Sequence, residues 1–374
     1  MSQERSAVVP QLHWSICVPD GCTAEDVEAH LNSSVRTQLF TVKEDQCQTN
    51  ESQPKLNSGD WATILTPPYA ALIVLYITLF MKLGSGPIWE SSNQHMQDTC
   101  KEYWWSSLLY IQNLVNANRF CAGQSWYLFV DMQLYILSPL ILIPIGKWPK
   151  ITPYVFGILI IIFTIIPTIV AWHYEIPVLI SNSEIPDWNK IYYAQVHTRA
   201  GPWIIGLALG YILFQTKHKN VRINKIIVTL MWLLTAVVMS YIIFGTYPEL
   251  RDDFQYSRLF SSIYVGLHRN IWTLGICWIV FACIHGYGGP VNWFLSLSVF
   301  QFFAKITYAL YLLSETFQNY DRGIVRVPVI FRDYNVLQSF FSTTCFCSLL
   351  SIIWVLSFES PFAVIDGVII KAGE

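Results

Sequence analysis

The chain has 374 residues, a formal net charge of -2, 53% hydrophobic residues, only 13% charged residues and a mean hydropathy of +0.40. That balance lies outside ordinary soluble domains and fits a polytopic membrane protein. With no basic surplus it speaks against a nucleic-acid partner, and its 15 Trp, 20 Tyr and 22 Phe supply the aromatic belts of two membrane interfaces.

The first sixty residues differ from the rest. They are polar, hold Cys17, Cys22 and Cys47, and carry the glycosylation sequons Asn32-Ser33-Ser34 and Asn50-Glu51-Ser52. This composition reads as a small extracytosolic, disulfide-bonded head over residues 1–60, followed by a membrane domain over 61–374. Yet the opening MSQERSAVVP holds no apolar core of a signal peptide.

Windows of about 19 residues predict helices at 64–83, 126–145, 154–172, 200–216, 226–244, 270–286, 296–313 and 340–358. The predicted fold class is therefore all-α, a transmembrane bundle of about eight spans. Between the first two spans, Cys100 and Cys121 bracket a long loop and are placed to pair. Cys277, Cys283, Cys345 and Cys347 fall in apolar runs and read as packing residues. Gly206 and Gly210 make a small-xxx-small pair that would admit a neighbouring helix, or are a coincidence in a membrane helix, where glycine is common.

The most informative span reads WYLFVDMQLYILSPLILIPI, residues 126–145, because Asp131 stands inside it. A carboxylate in hydrocarbon costs several kcal/mol unless it is paired or faces a wet cavity, which marks a candidate functional site. Tyr127, Asp131, Tyr135 and Ser138 share one helical stripe, which must look into protein or water. The bland reading is a carboxylate satisfied by Tyr or Gln side chains and serving only packing. Gln133 points to a different neighbour.

Lys147, Lys150, Lys217, Lys219, Arg222 and Lys225 crowd the short loops 146–153 and 217–225, whereas basic residues are sparse in 84–125, 173–199, 245–269 and 314–339. The positive-inside rule places the short loops in the cytosol and, with an even span count, both termini with them. That conflicts with a glycosylated, disulfide-bonded head. An odd number of missing spans between head and residue 64 would remove the conflict.

Residues along the chain resemble the nose-resistant-to-fluoxetine family of invertebrates. SICVPDGCTAEDV at 15–27 is similar to its extracellular domain. LTPPYA at 65–70, LGSGPIW at 83–89, YWWSSLLYIQN at 103–113, CAGQSWYLFVDMQLYILSPL at 121–140, HTRAGPWIIGLALGYIL at 197–213, HGYGGPVNWFLS at 285–296, KITYALYLLSE at 305–315 and FESPF at 358–362 are similar to its type 3 acyltransferase domain. The resemblance implies transfer of an acyl group, other than amino-acyl, from acyl-CoA to a membrane lipid or small hydroxyl acceptor. No bound cofactor or metal is expected, and Cys17 and Cys22 have the wrong spacing for zinc. The resemblance also implies an early span with an Arg and a catalytic His, which this sequence lacks; Ser314 stands where the family's tyrosine-leucine motif ends in His. A short isoform and an incomplete gene model account for this equally.

Acyl transfer to a hydroxyl needs a general base and donors for the developing oxyanion. His13, His30, His95, His173, His197, His218, His268 and His285 all fall in the head, loops or span ends, so none replaces the missing base. Asp131 is assigned a supporting role, orienting a base or lining an acceptor tunnel. Arg199 and Arg269, each at the mouth of a span, are assigned to a phosphate-bearing donor or anionic lipid, with His197 beside them; the charge map puts all three on the outer side, where a cytosolic acyl-CoA meets them only in a deep site, and interfacial snorkelling is the bland alternative. Tyr127, Gln133, Tyr135 and Lys305 complete the substrate-binding candidates, and Glu359 reads as a polar stop. Catalysis by this chain is expected to be weak or absent. The competing function is a non-catalytic carrier of lipid or another small hydrophobe, and the expected place is a multi-pass position in the endoplasmic reticulum or plasma membrane.

Overall fold

A computed structural model describes residues 58–178, 187–217, 219, 221–250, 256–327 and 332–364, the side chains of 58–64, 248 and 250 excepted. The head residues 1–57, with Cys17, Cys22, Cys47 and both sequons, and His218 lie outside the described residues. Among the described residues the regular elements are helical. They are α1 (Ser58–Thr78), α2 (Phe80–Leu83), α3 (Trp89–Leu108), α4 (Gln112–Val115), α5 (Trp126–Lys147), α6 (Thr152–His173), α7 (Val196–Thr216), α8 (Lys225–Phe244), α9 (Arg258–Ile284), α10 (Gly289–Leu295), α11 (Ser298–Gly323) and α12 (Asp333–Trp354).

Five stretches are long and apolar enough to cross a bilayer: Gly123–Lys147, Thr152–His173, Lys225–Phe244, Arg258–Ile284 and Asp333–Val364; α10 and α11 qualify only as a pair bent by 58°. The expected spans at 64–83 and 200–216 are helical but fall short. The apolar part of α1 is only Leu65–Thr78. It is hydrophobic because it is enclosed by protein, with Tyr69, Leu72 and Tyr76 fully buried. α7 opens with His197 and Arg199, which dilute its apolar character.

The helices pack around two cores divided by α5. On one side, Leu128 and Phe129 join Tyr69, Tyr76, Trp89, Leu312 and their neighbours from α1, α3 and α11. On the other, Val130 and Leu134 meet Phe156 of α6 and Ala200 and Ile204 of α7. α9 is central to the second side and packs on α6, α7 and α8, while α11 packs on α12 and α3. Close helix approach occurs where a side chain is missing: a Cβ on Gly201 would collide with Asn270, and one on Gly266 with Thr168. Gly206 and Gly210 correct the sequence reading, because a Cβ at either meets nothing within 4 Å. Their face points away from the described helices.

Region 84–125 is not a plain loop. Trp89, Asn93, Met96 and Cys100 fall at helical spacing and are turned inward, so a polar segment folds as α3 around one buried stripe. The Trp89 indole N–H donates to the Met81 carbonyl at 3.0 Å. The chain then turns at Tyr110 (φ 57°) into α4 and returns to Cys121, which forms a disulfide with Cys100 as the spacing predicts. Gln133 donates to the Tyr110 carbonyl at 2.7 Å and to Asn113 at 2.8 Å. Since Gln133 follows Trp126 by roughly 10 Å of helix rise, this segment descends into the bundle as a plug.

Pro139 lies inside α5 and cannot bond the Tyr135 carbonyl. The Ser138 hydroxyl takes that carbonyl at 2.7 Å. Ser138, expected on the functional stripe, thus serves the backbone.

Candidate functional site

The first turn of α7, the preceding π turn Asn189–Tyr193, the middle of α9 and the start of α5 converge in the half of the bundle away from the basic loops. The turn is fixed from below: the Tyr192 hydroxyl donates to the Val265 carbonyl at 2.9 Å, and Thr198 donates to the Tyr192 and Gln195 carbonyls at 2.5 and 2.9 Å. Around this scaffold sit two partly buried guanidinium groups. Arg199 lies over Trp126 at 4.4 Å and over Tyr193 at 4.8 Å, and Arg269 lies over Tyr192 at 4.7 Å.

Aromatic faces attract a desolvated cation by about 2 kcal/mol each, and arginine tolerates this because it is more weakly hydrated than lysine. Neither arginine has a carboxylate partner among the described residues. Arg199 Nε donates to the Tyr193 carbonyl at 2.8 Å, and an Arg269 terminal nitrogen reaches the Thr198 carbonyl at 3.4 Å. The other N–H donors of both groups stay free within the described residues. Five donors in a planar fork suit an oxyanion.

Arg269 corrects an expectation. The helix begins at Arg258, so Arg269 is not at its mouth but about 16 Å along it. His268 moves with it. Its Nδ1 bonds the Tyr264 carbonyl at 2.9 Å, its ring stacks on Tyr264, and both arginines are among its electrostatic neighbours. Sequence reading put His268 in a loop because Arg258, His268 and Arg269 lower the hydropathy of the helix that carries them.

Tyr127 connects this cluster to Asp131. It meets Trp126 at 5.9 Å and Tyr311 at 6.0 Å between ring centroids, and interacts electrostatically with Asp131 one turn on. Asp131 and Tyr127 are exposed, and Asp131 makes no hydrogen bond or ion pair among the described residues. The stripe therefore looks outward from the described helices rather than into their core. Helical spacing fixes which residues share a face but not what covers it. Tyr135 is half-buried on the same stripe.

The remaining candidates are placed apart. Gln133 is committed to the plug. Lys305 is exposed near the start of α11 and joins none of the others. His197 is half-buried in the first turn of α7, against the Ile191 backbone.

Sequence reading missed an interior tyrosine group. The Tyr308 hydroxyl donates to the Leu65 carbonyl at 2.7 Å, and Tyr311 donates to the Gln124 carbonyl. Tyr76 and Thr316 share a hydrogen bond of 2.6 Å. The Glu315 carboxylate occupies the space a Cβ on Gly123 would need, and Glu359, read as a polar stop, has a buried oxygen without a hydrogen-bond partner among the described residues and acts electrostatically on Tyr308. The signal was available: Tyr308, Tyr311 and Glu315 recur at helical spacing.

The helical bundle with its spanning stretches defines an integral membrane protein, and a family model for an acyltransferase domain of type 3 matches residues 59–359. The chain belongs to that acyltransferase family. It is similar to nose resistant to fluoxetine protein 6 of Caenorhabditis elegans, 27% identical over 346 residues that cover 85% of this chain and 42% of that protein. It is also similar to regulator of hypoxia-inducible factor 1 of the same nematode, 25% identical over 262 residues that cover 63% of this chain and 49% of that protein. The chain thus spans less than half the length of these curated relatives. No solved structure matches it.

Proposed function

We propose that this chain is the substrate-holding part of a membrane acyltransferase-like protein that moves an acyl group from acyl-CoA to a lipid or other hydroxyl acceptor. In that reaction the acceptor oxygen attacks the thioester carbonyl, the C–O bond forms as the C–S bond breaks, and the hydroxyl proton passes to a base while coenzyme A leaves as the thiol. The observation that supports it is the pair Arg199 and Arg269, with free N–H donors inside an aromatic wall. Their forks suit a donor phosphate or a developing oxyanion. Asp131, one turn from Tyr127, lines the acceptor side. It holds no imidazole among the described residues, so turnover by these residues alone is weak or absent.

The test uses the purified full chain in detergent, with labelled acyl-CoA and a hydroxyl lipid. Acyl-CoA binding that Arg199→Gln and Arg269→Gln each weaken by about tenfold, with negligible turnover, is the expected result. Turnover in the wild type that Asp131→Asn abolishes would overturn the assignment of weak catalysis. Lipid binding that free coenzyme A does not compete with would favour the carrier reading instead.

A further inference from the structure

Toward the opposite end of the bundle, the end of α7, the segment that follows it as far as Arg222, and the end of α9 line an open cleft of about 660 Å³. Its walls include Lys217, Lys219, Arg222 and His285, and its lip is formed by Leu213, Phe214 and Ile284. Phe214 and Ile284 are 76% and 61% exposed, the second at the end of the spanning helix α9.

The cleft is shaped by the local sequence. α9 ends in a Schellman motif: Gly286 adopts φ +80°, its N–H reaches the Cys283 carbonyl at 3.4 Å, and the Tyr287 N–H reaches the Ala282 carbonyl at 2.7 Å. Glycine enters this left-handed region without a Cβ penalty. The reversal delivers Tyr287 to the basic segment, where its hydroxyl accepts from the Ile223 N–H and donates to the Val221 carbonyl, both at 2.8 Å. These bonds hold the backbone on either side of Arg222. The Trp232 indole in turn donates to the Tyr287 carbonyl at 3.2 Å. His285 Nδ1 is bonded to the Phe281 carbonyl at 3.0 Å, so Nε2 is its free nitrogen.

Lys217, Lys219 and Arg222 form no ion pair with a described carboxylate. Basic residues beside membrane helices also set topology, but that role needs only charge near the interface. It does not call for a backbone clamp or for an open cleft that also carries apolar lining. Cations beside exposed aliphatic and aromatic surface match a molecule with a phosphate head and hydrocarbon tails. Lys217 stands about 27 Å along α7 from Arg199, so this cleft is separate from the arginine cluster.

We infer that the cleft walled by Lys217, Lys219, Arg222 and His285 binds the phosphate head of an anionic phospholipid, with the acyl chains lying along Phe214 and Ile284. The inference does not depend on the acyltransferase reading. The full chain in phosphatidylcholine nanodiscs is titrated with phosphatidate, with inorganic phosphate and coenzyme A as soluble competitors. Saturable phosphatidate binding is expected, weakened at least about tenfold in a Lys217→Gln/Lys219→Gln/Arg222→Gln variant and unchanged in Lys147→Gln/Lys150→Gln, which removes charge from the other basic loop, outside the cleft lining. Tyr287→Phe keeps every charge and loses the clamp, so it weakens binding if the shaped cleft is the site and leaves it unchanged if charge alone acts. Equal binding by wild type and the triple variant, no effect of Tyr287→Phe in a folded sample, or displacement by coenzyme A at concentrations where inorganic phosphate has no effect would each overturn the inference.

Discussion

Arginines carry the positive charge at one end of the bundle, and mainly lysines carry it at the other. At the end formed by α5, α7 and α9, Arg199 and Arg269 are partly buried under Trp126, Tyr193 and Tyr192. At the end formed by the 217–225 segment, Lys217, Lys219 and Arg222 are exposed beside a cleft. A single positive charge therefore does different work at the two ends. A cation desolvated by aromatic rings is fixed in place, and its loss disturbs packing as well as charge. A hydrated cation stores little folding energy and acts on whatever approaches it.

The difference breaks most visibly at the glycines that let the first end close. Gly201→Val and Gly266→Val press side chains onto Asn270 and Thr168 and should cost about 1–3 kcal/mol or more, read as a fall in melting temperature or loss of folded yield. Gly206→Val and Gly210→Val, with nothing within 4 Å, should leave the same measurement nearly unchanged. Removing the disulfide with Cys100→Ser/Cys121→Ser should destabilise the plug by about 3 kcal/mol, visible as faster proteolysis between α3 and α5. Arg199→Lys keeps the charge but loses the planar stack and should cost about 1 kcal/mol. Lys217→Gln is the smallest effect, within about 0.5 kcal/mol of wild-type stability. A comparable loss of melting temperature in the last two variants would erase the distinction between the ends.

The sequence showed part of this plainly. Cys100 and Cys121 could be paired from spacing, and the Tyr127–Asp131–Tyr135 stripe from helical period. Its outward direction was not legible, because period alone does not say which neighbour is present. Hydropathy concealed α3, a polar helix with one narrow buried stripe, and shortened α9, whose first half carries Arg258, His268 and Arg269. Gly206 and Gly210 misled for the converse reason: small residues permit contact without requiring it.

The bond between Cys100 and Cys121 bears on how the protein is made. Until that crosslink forms, the segment beside Gln133 is held by its bonds to Gln133 and by Tyr110 packed on Tyr69 and Phe129, without the covalent constraint on its loop. Recombinant material from a reducing bacterial cytosol would then be soluble in detergent yet heterogeneous, whereas passage through an oxidising secretory lumen would yield one conformer. The choice of host cell thus becomes a structural variable for every assay named above.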